Sequence, residues 1–262
     1  MKPLFDLYEA GIKSELFPLL IFVAVGAMID FGPLLTNPKM LLFGGAAQFG
    51  IFFTMSMAAL MGYSLKEAAS IGIIGAADGP TSIYVASQFA EHLFAPISVA
   101  AYSYMSLVPI IQPPVIRALT TLEERKIRMP YEGRSVSKKV KILFPIVVTV
   151  IAGMIAPVSV ALVGFLMFGN LLRECGVTDR LAKSAQNELA NLVTILLGIT
   201  TGSTMSADKF LNFDTIKIIS MGLVAFVFDT AGGVLFAKFL NLFTKNKINP
   251  MVGAAGISAF PM

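Results

Sequence analysis

The sequence predicts an all-α, polytopic membrane protein. Three observations carry that prediction. Of the 262 residues, 56% are apolar and only 14% are charged, against about 25% charged residues in an average soluble domain. Mean hydropathy is +0.77. Apolar stretches also recur at a length suited to membrane helices of ~20 residues. We read residues 1–262 as a single integral membrane domain.

The elements follow in chain order. "MKPLFDLYEAGIKSELFPLL" places Asp6, Glu9 and Glu15 ahead of its apolar run. A secretory signal has a basic start and a short apolar core, so this segment reads instead as an amphipathic lead-in or a linker. Leu16–Ile29 is apolar but short and runs into "DFGP", as a re-entrant or partial span would. Met40–Gly62 has the composition of a full span. Lys66–Ala90 is apolar but interrupted at Asp78-Gly79-Pro80. His92–Thr121 follows, with Pro109, Pro113 and Pro114 expected to break its second half.

Residues 123–141 form the one strongly charged loop. Arg125, Lys126, Arg128, Arg134, Lys138, Lys139 and Lys141 face only Glu123, Glu124 and Glu132, which the positive-inside rule reads as cytoplasmic. Ile142–Leu172, with Pro157 in its middle, fits one bent span or a hairpin. "RECGVTDRLAKSAQNE" is polar and interfacial in character, and Leu189–Gly202 runs into a hydroxyl-rich break. Ile216–Phe243 is a long span with Asp229 near its middle. The closing "MVGAAGISAFPM" begins an apolar segment and stops within it, so a shortened form of a longer protein is expected.

Several functions are excluded or disfavoured. The net charge of +4 and pI near 9.1 come largely from loops, where Lys and Arg set orientation, so no nucleic acid partner is implied. One cysteine, Cys175, allows neither an internal disulfide nor a cysteine-based zinc site. One histidine, His92, allows no histidine cluster. No G-x-x-x-x-G-K-[ST] phosphate loop is present. Uphill transport by this chain would draw on a gradient or on a partner.

"IIGAADGPTSI" (73–83) and "MVGAAGISAF" (251–260) echo one another: an apolar pair, Gly-Ala-Ala, then a stretch unfriendly to helices. A third Gly-Ala-Ala, at Gly45–Ala47, lacks a comparable break in the sequence. Backbone that leaves the helix at membrane depth must be buried in protein or line a polar cavity. Paired interruptions of this kind point to the ion site and internal repeats of a transporter. Sodium is a hard cation that takes oxygen ligands, which freed carbonyls and Asp, Asn, Ser or Thr side chains supply.

An Asp at the bilayer centre costs ~2.5–3.5 kcal/mol on insertion scales. Asp78 either caps a half-helix or alternates between a proton and a cation, which would let it couple the two. Asp229 is read either as a polar contact at a Gly-rich helix crossing or as part of an ion path. Tyr102 and Tyr104 are interface aromatics or hydroxyls offered to a cavity.

The chain resembles the β subunit of the sodium-pumping, biotin-dependent decarboxylases acting on oxaloacetate, methylmalonyl-CoA, glutaconyl-CoA or malonate. The motifs that carry the likeness, in order, are "VGAMIDFGPLL", "AAQFGIF", "IGIIGAADGPT", "VAAYSYMSLVPIIQPP", "LTTLEERKIRM", "KILFP", "FGNLLRECGV" and "NPMVGAAGISAFPM". The resemblance implies broken, crossing helices in inverted repeats, and a multi-pass protein of a bacterial or archaeal cytoplasmic membrane. It implies that carboxybiotin, delivered by biotin carrier and carboxyltransferase subunits, is decarboxylated while Na+ moves outward and a proton is taken up. A small membrane subunit, membrane lipid and an oligomeric assembly are implied partners. Asp78 and Tyr104 are implied in catalysis and the proton path, and Asp78, Asn249, Gly253 and Ser258 in sodium binding. Asp229 matches no site motif of the family. The resemblance implies further membrane helices before the region matched here, and a basic residue and a "HAMGPN"-like segment after it. Other readings of the same broken-helix site are a sodium-coupled or sodium/proton exchanger without decarboxylation, or an inactive shortened product.

Overall fold

The computed structural model describes residues 2–129, 136–203, 213–244 and 247–256, and among these every regular element is helical. Four helical stretches are long and apolar enough to cross a membrane: Pro38–Leu60, Glu91–Leu119, Pro157–Cys175 and Phe213–Phe243. A fifth candidate is the bent pair Lys2–Lys13 and Leu16–Met28, which turns by 56°. The bend sits at Glu15, whose φ of 64° is left-handed.

In chain order the α-helices begin with α1 (Lys2–Tyr8), α2 (Leu16–Met28), α3 (Gly32–Thr36), α4 (Leu41–Ala47) and α5 (Phe49–Leu60). There follow α6 (Leu65–Gly72), α7 (Gly79–Phe89), α8 (Phe94–Leu119), α9 (Leu122–Arg125) and α10 (Lys138–Ile155). The last are α11 (Val160–Cys175), α12 (Asp179–Ser184), α13 (Ala190–Ser203), α14 (Phe213–Phe243) and α15 (Met251–Ala254). They group into two compact units, residues 1–38 with 133–204, and 39–132 with 205–262.

In the first unit α2 packs on α11 through small residues. A Cβ added to Gly26 would stand 1.7 Å from the Leu166 carbonyl oxygen, and one on Gly169 would stand 2.0 Å from that of Val23. Such close approach is how membrane helices gain packing energy without a hydrophobic drive between them. The last carbonyls of a helix need outside partners, and here side chains supply them. Asn170 donates to Gly26 and Ile29, Gln186 to Ala27 and Arg173 to Met28. Just beyond, Asp30 pairs with Lys141 and Arg173. The Gly32 N–H, 2.8 Å from Asp30 Oδ1, holds this carboxyl below the usual carboxylate range, with Lys141 and Arg173 adding to the effect. Residues 142–172 resolve into a hairpin of α10 and α11 turned at Pro157–Ser159.

The second unit is built on α14, which packs against α4, α5, α6, α8 and α15. One expectation is corrected: α8 runs unbroken through Pro109, Pro113 and Pro114. Proline's fixed φ suits a helix, and the lost hydrogen bonds are tolerated where neighbouring elements re-satisfy the backbone. The third Gly-Ala-Ala, at the end of α4, is followed by one right-handed residue, Gln48, before α5, so Pro38–Leu60 runs on without a break comparable to that at Asp78. Lys238 of α14 reaches the Leu119 carbonyl, the last of α8, and pairs with Glu124 at 3.1 Å. Arg125 also caps α8, donating to Thr120 O at 2.6 Å.

Candidate functional site in the second unit

The interruption around Asp78 has a definite shape. α6 tightens into a 3₁₀ turn over Ile73–Ala76, Ala77 takes a left-handed φ of 52°, and α7 starts at Gly79. A left-handed alanine costs roughly 1–2 kcal/mol, and such outliers cluster at ligand clamps and switch regions. Asp78 is the N-cap of α7. Its Oδ1 accepts the Thr81 N–H at 3.2 Å and its Oδ2 the Thr81 hydroxyl at 2.6 Å. Pro80 belongs in the first turn, where a missing N–H costs nothing. Among the described residues, no backbone N–H donates to the Ala76 or Ala77 carbonyl. Half-buried Asp78 is therefore flanked by unclaimed carbonyl oxygens, the donor chemistry a hard monovalent cation takes. Capping uses one lone pair on each Asp78 oxygen, so the cap and an ion are compatible. Gly79 has no side chain because Tyr102 lies over it, 2.9 Å from where a Cβ would stand.

The other expected residues sit around this break with different tasks. Tyr104 is 6% exposed, and its hydroxyl donates to Ile219 O of α14 at 2.5 Å. Its ring lies against Gly222, 2.9 Å from a Cβ there. Asn249 is buried, and its amide is spent on structure. Nδ2 donates to Arg125 O at 2.9 Å and Ile127 O at 3.0 Å, while Oδ1 accepts the Met251 N–H at 3.0 Å. Gly253 meets Gly233 of α14 backbone to backbone, a Cβ on it falling 1.9 Å from Gly233 O. Ser258 lies outside the described residues. Asp229 is 1% exposed, and its Oδ1 accepts the Ile51 N–H at 3.1 Å. Among the described residues Asp78 is bonded to Thr81 and Ser82, and Asn249 to the end of α9 and the loop after it, so their side chains are not joined.

Two residues escaped the sequence reading. Thr81 is Asp78's partner, and the three-residue spacing of a capping pair in "DGPT" was the available signal. Gln112 donates to Ala254 O at 2.9 Å, tying α8 to α15. Nothing in its sequence neighbourhood marks it. Outside the membrane segments, Glu124 is held below the usual carboxylate range, first by the Thr121 N–H and further by Lys238.

Residues 3–262 match the family model described as Na+-transporting oxaloacetate decarboxylase beta subunit. The chain belongs to this family. It is 56% identical over 256 residues to the methylmalonyl-CoA decarboxylase subunit beta of Veillonella parvula, covering 98% of this chain and 68% of that protein. Against the glutaconyl-CoA decarboxylase subunit beta of Acidaminococcus fermentans, identity is 55% over 257 residues, covering 98% and 68%. Against the probable oxaloacetate decarboxylase beta chain of Vibrio cholerae it is 54% over 265 residues, covering 99% and 61%. The chain thus spans about two thirds or less of the length of these curated relatives. Family and apolar helices together make it an integral membrane protein.

Proposed function

We propose that this β-subunit chain binds Na+ at the Asp78 break and couples its outward movement to the decarboxylation of carboxybiotin. The observation that carries the reading is the Asp78 carboxylate, set among freed carbonyls at a helix break in a chain of this family. Carboxybiotin arrives on a biotin carrier subunit after a carboxyltransferase subunit has loaded it. The C–N bond to the carboxylate breaks, CO2 leaves, and the electron pair on the ureido nitrogen takes up one proton. Asp78 holds Na+ when ionised and is neutral when it carries a proton, which makes the two loads exclusive. Tyr104, anchored on α14 by its hydroxyl, stands beside the proton route. Asn249 and Gly253 act by fixing the second broken segment against α9 and α14, and Ser258 of that segment completes the sodium shell. Residues 123–141 face the cytoplasm, where the biotin-bearing subunits dock. The chain works in the cytoplasmic membrane of a bacterium or archaeon, in an oligomer with a small membrane subunit.

The test is thermal unfolding of the purified chain in detergent, in NaCl and in matched KCl, for wild type and Asp78→Asn. Asn caps a helix about as well as Asp, so the variant keeps the backbone cap and loses the charge and one acceptor oxygen. Sodium at about a hundred times its dissociation constant stabilises by about 2.7 kcal/mol. That should appear as a sodium-specific rise in wild type which the variant lacks. Equal stabilisation by both salts, or a sodium effect unchanged in Asp78→Asn, removes the ion from this site.

A further inference from the structure

Asp229 lies in the middle of α14 and is wedged between two glycine backbones. A Cβ on Gly50 would stand 2.7 Å from its Oδ1, and a Cβ on Gly75 would stand 2.6 Å from its Oδ2. Oδ1 accepts the Ile51 N–H near the start of α5. Oδ2 is buried and, among the described residues, has no hydrogen-bond partner.

Among the described residues no cation pairs with this carboxyl. α4, α5, α15 and the 3₁₀ turn Ile73–Ala76 carry no titratable residue. On α6, Lys66 is exposed and Glu67 is bonded to Ser64 and His92. On α8, Tyr104 is bonded to Ile219, Tyr102 lies over Gly79, and Arg117 is exposed. On α14 itself, Lys217 pairs with Asp214 and Lys238 with Glu124. Asp78 is three residues beyond Gly75 and adds only negative charge when ionised. An ionised Asp229 would leave half a charge on an oxygen with no hydrogen-bond partner among the described residues, the costliest kind of unmade hydrogen bond. A neutral acid resolves the geometry: Oδ1 is the carbonyl that accepts the Ile51 N–H, and Oδ2 is the hydroxyl.

We propose that Asp229 is a proton-binding site, loaded while Gly75 is packed on Oδ2 and able to release its proton only when the segment carrying Asp78 lifts off α14. The site is distinct from the sodium site. Its use in the transport cycle rests on the function proposed above, but its existence does not. Because Gly75 and Asp78 belong to one interrupted segment, movement that exposes Oδ2 also moves the sodium carboxylate. Proton and sodium events would then be linked mechanically, with no shared ligand.

Infrared spectroscopy of the chain labelled with carboxyl-¹³C aspartate, in detergent at neutral pH and without sodium, tests this. The expected result is a carbonyl stretch of a protonated aspartic acid that persists in Asp78→Asn and is lost when Asp229→Asn is added to that variant. Persistence of the full band in the combined variant overturns the proposal, as does the absence of any such band in Asp78→Asn. Should Asp229→Asn fail to fold, the Asp78→Asn, Asp208→Asn double variant decides. Its remaining aspartates other than Asp229 are Asp6, Asp30, Asp179 and Asp214, all exposed. A protonated band then belongs to Asp229, and no band refutes the site. Failure here leaves the sodium titration of Asp78 unaffected, so the two ideas fall separately.

Discussion

Replacing Gly253 by alanine tests whether the second broken segment is held by contact between backbones. The new methyl would lie 1.9 Å from Gly233 O, 2.2 Å from Gly233 C and 2.7 Å from Val234 N. Carbon contacts become favourable near about 3.5 Å, so α15 must retreat by about 1.6 Å (3.5 less 1.9). No rotamer relieves this, because all three atoms are backbone. The fit is reciprocal, since a Cβ on Gly233 would stand 2.1 Å from Gly253 O. Overpacking costs about 1–3 kcal/mol. The retreat also stretches the Gln112–Ala254 hydrogen bond, worth about 0.5–1.5 kcal/mol. A destabilisation of about 1.5–4.5 kcal/mol follows. Gly198 on α13 is the control: it is exposed within its helix and nothing lies within 4 Å of an added Cβ. There alanine should stabilise by about 0.8–1 kcal/mol through helix propensity alone. Thermal unfolding in detergent reads both, and repeating it with NaCl shows whether displacing α15 also removes the sodium response. A Gly253→Ala chain as stable as wild type would refute the account, because it would mean that α15 does not sit on Gly233.

Ala77→Gly should relieve the left-handed φ, gaining roughly 1–2 kcal/mol against roughly 0.4–1 kcal/mol from the freer unfolded chain. A small rise in thermal midpoint is expected, together with weaker sodium stabilisation if the fixed turn pre-orders the carbonyls. A clear fall in midpoint would contradict the strain argument. Asp30 gives a pH prediction. Its carboxyl is depressed in the folded chain, so its contribution is complete above the unfolded value of about 3.9 and is lost as pH falls through the folded value. The acid limb of stability below about pH 4 should be shallower in Asp30→Asn than in wild type. The effect is small because Asp30 is 47% exposed. Identical limbs would detach Asp30 from Lys141 and Arg173.

Much of this was legible in the sequence because membrane composition and helix punctuation are local signals. The break at Asp78-Gly79-Pro80 announces itself, since a charge, a glycine and a proline in an apolar run each oppose a continuing helix. The continuity of α8 was not legible, because whether proline breaks a helix depends on what packs beside the freed carbonyls. The task of Asn249 was hidden for a similar reason. The motif "NP" marks a turn, but the carbonyls its amide holds, those of Arg125 and Ile127, are over a hundred residues away in sequence. The partners of α2's last carbonyls, Asn170, Arg173 and Gln186, come from equally remote sequence.

The two Gly-Ala-Ala echoes gain meaning from α14. Gly75 in the first and Gly253 in the second occupy the same place in their motifs, and both press bare backbone onto that helix. Gly75 lies against Ala225 and Asp229, and Gly253 against Gly233 and Val234. Four residues separate Asp229 from Gly233, about one turn of helix, so the two segments touch successive turns of one helix. Their chemistry at the contact differs. The Gly253 contact is glycine on glycine, set by shape alone, and only steric change can disturb it. The Gly75 contact closes over a carboxyl, so its strength depends on a proton as well as on shape. Of the two broken segments, only the one bearing Asp78 is therefore built so that a change of protonation on α14 can loosen it while the other stays fixed.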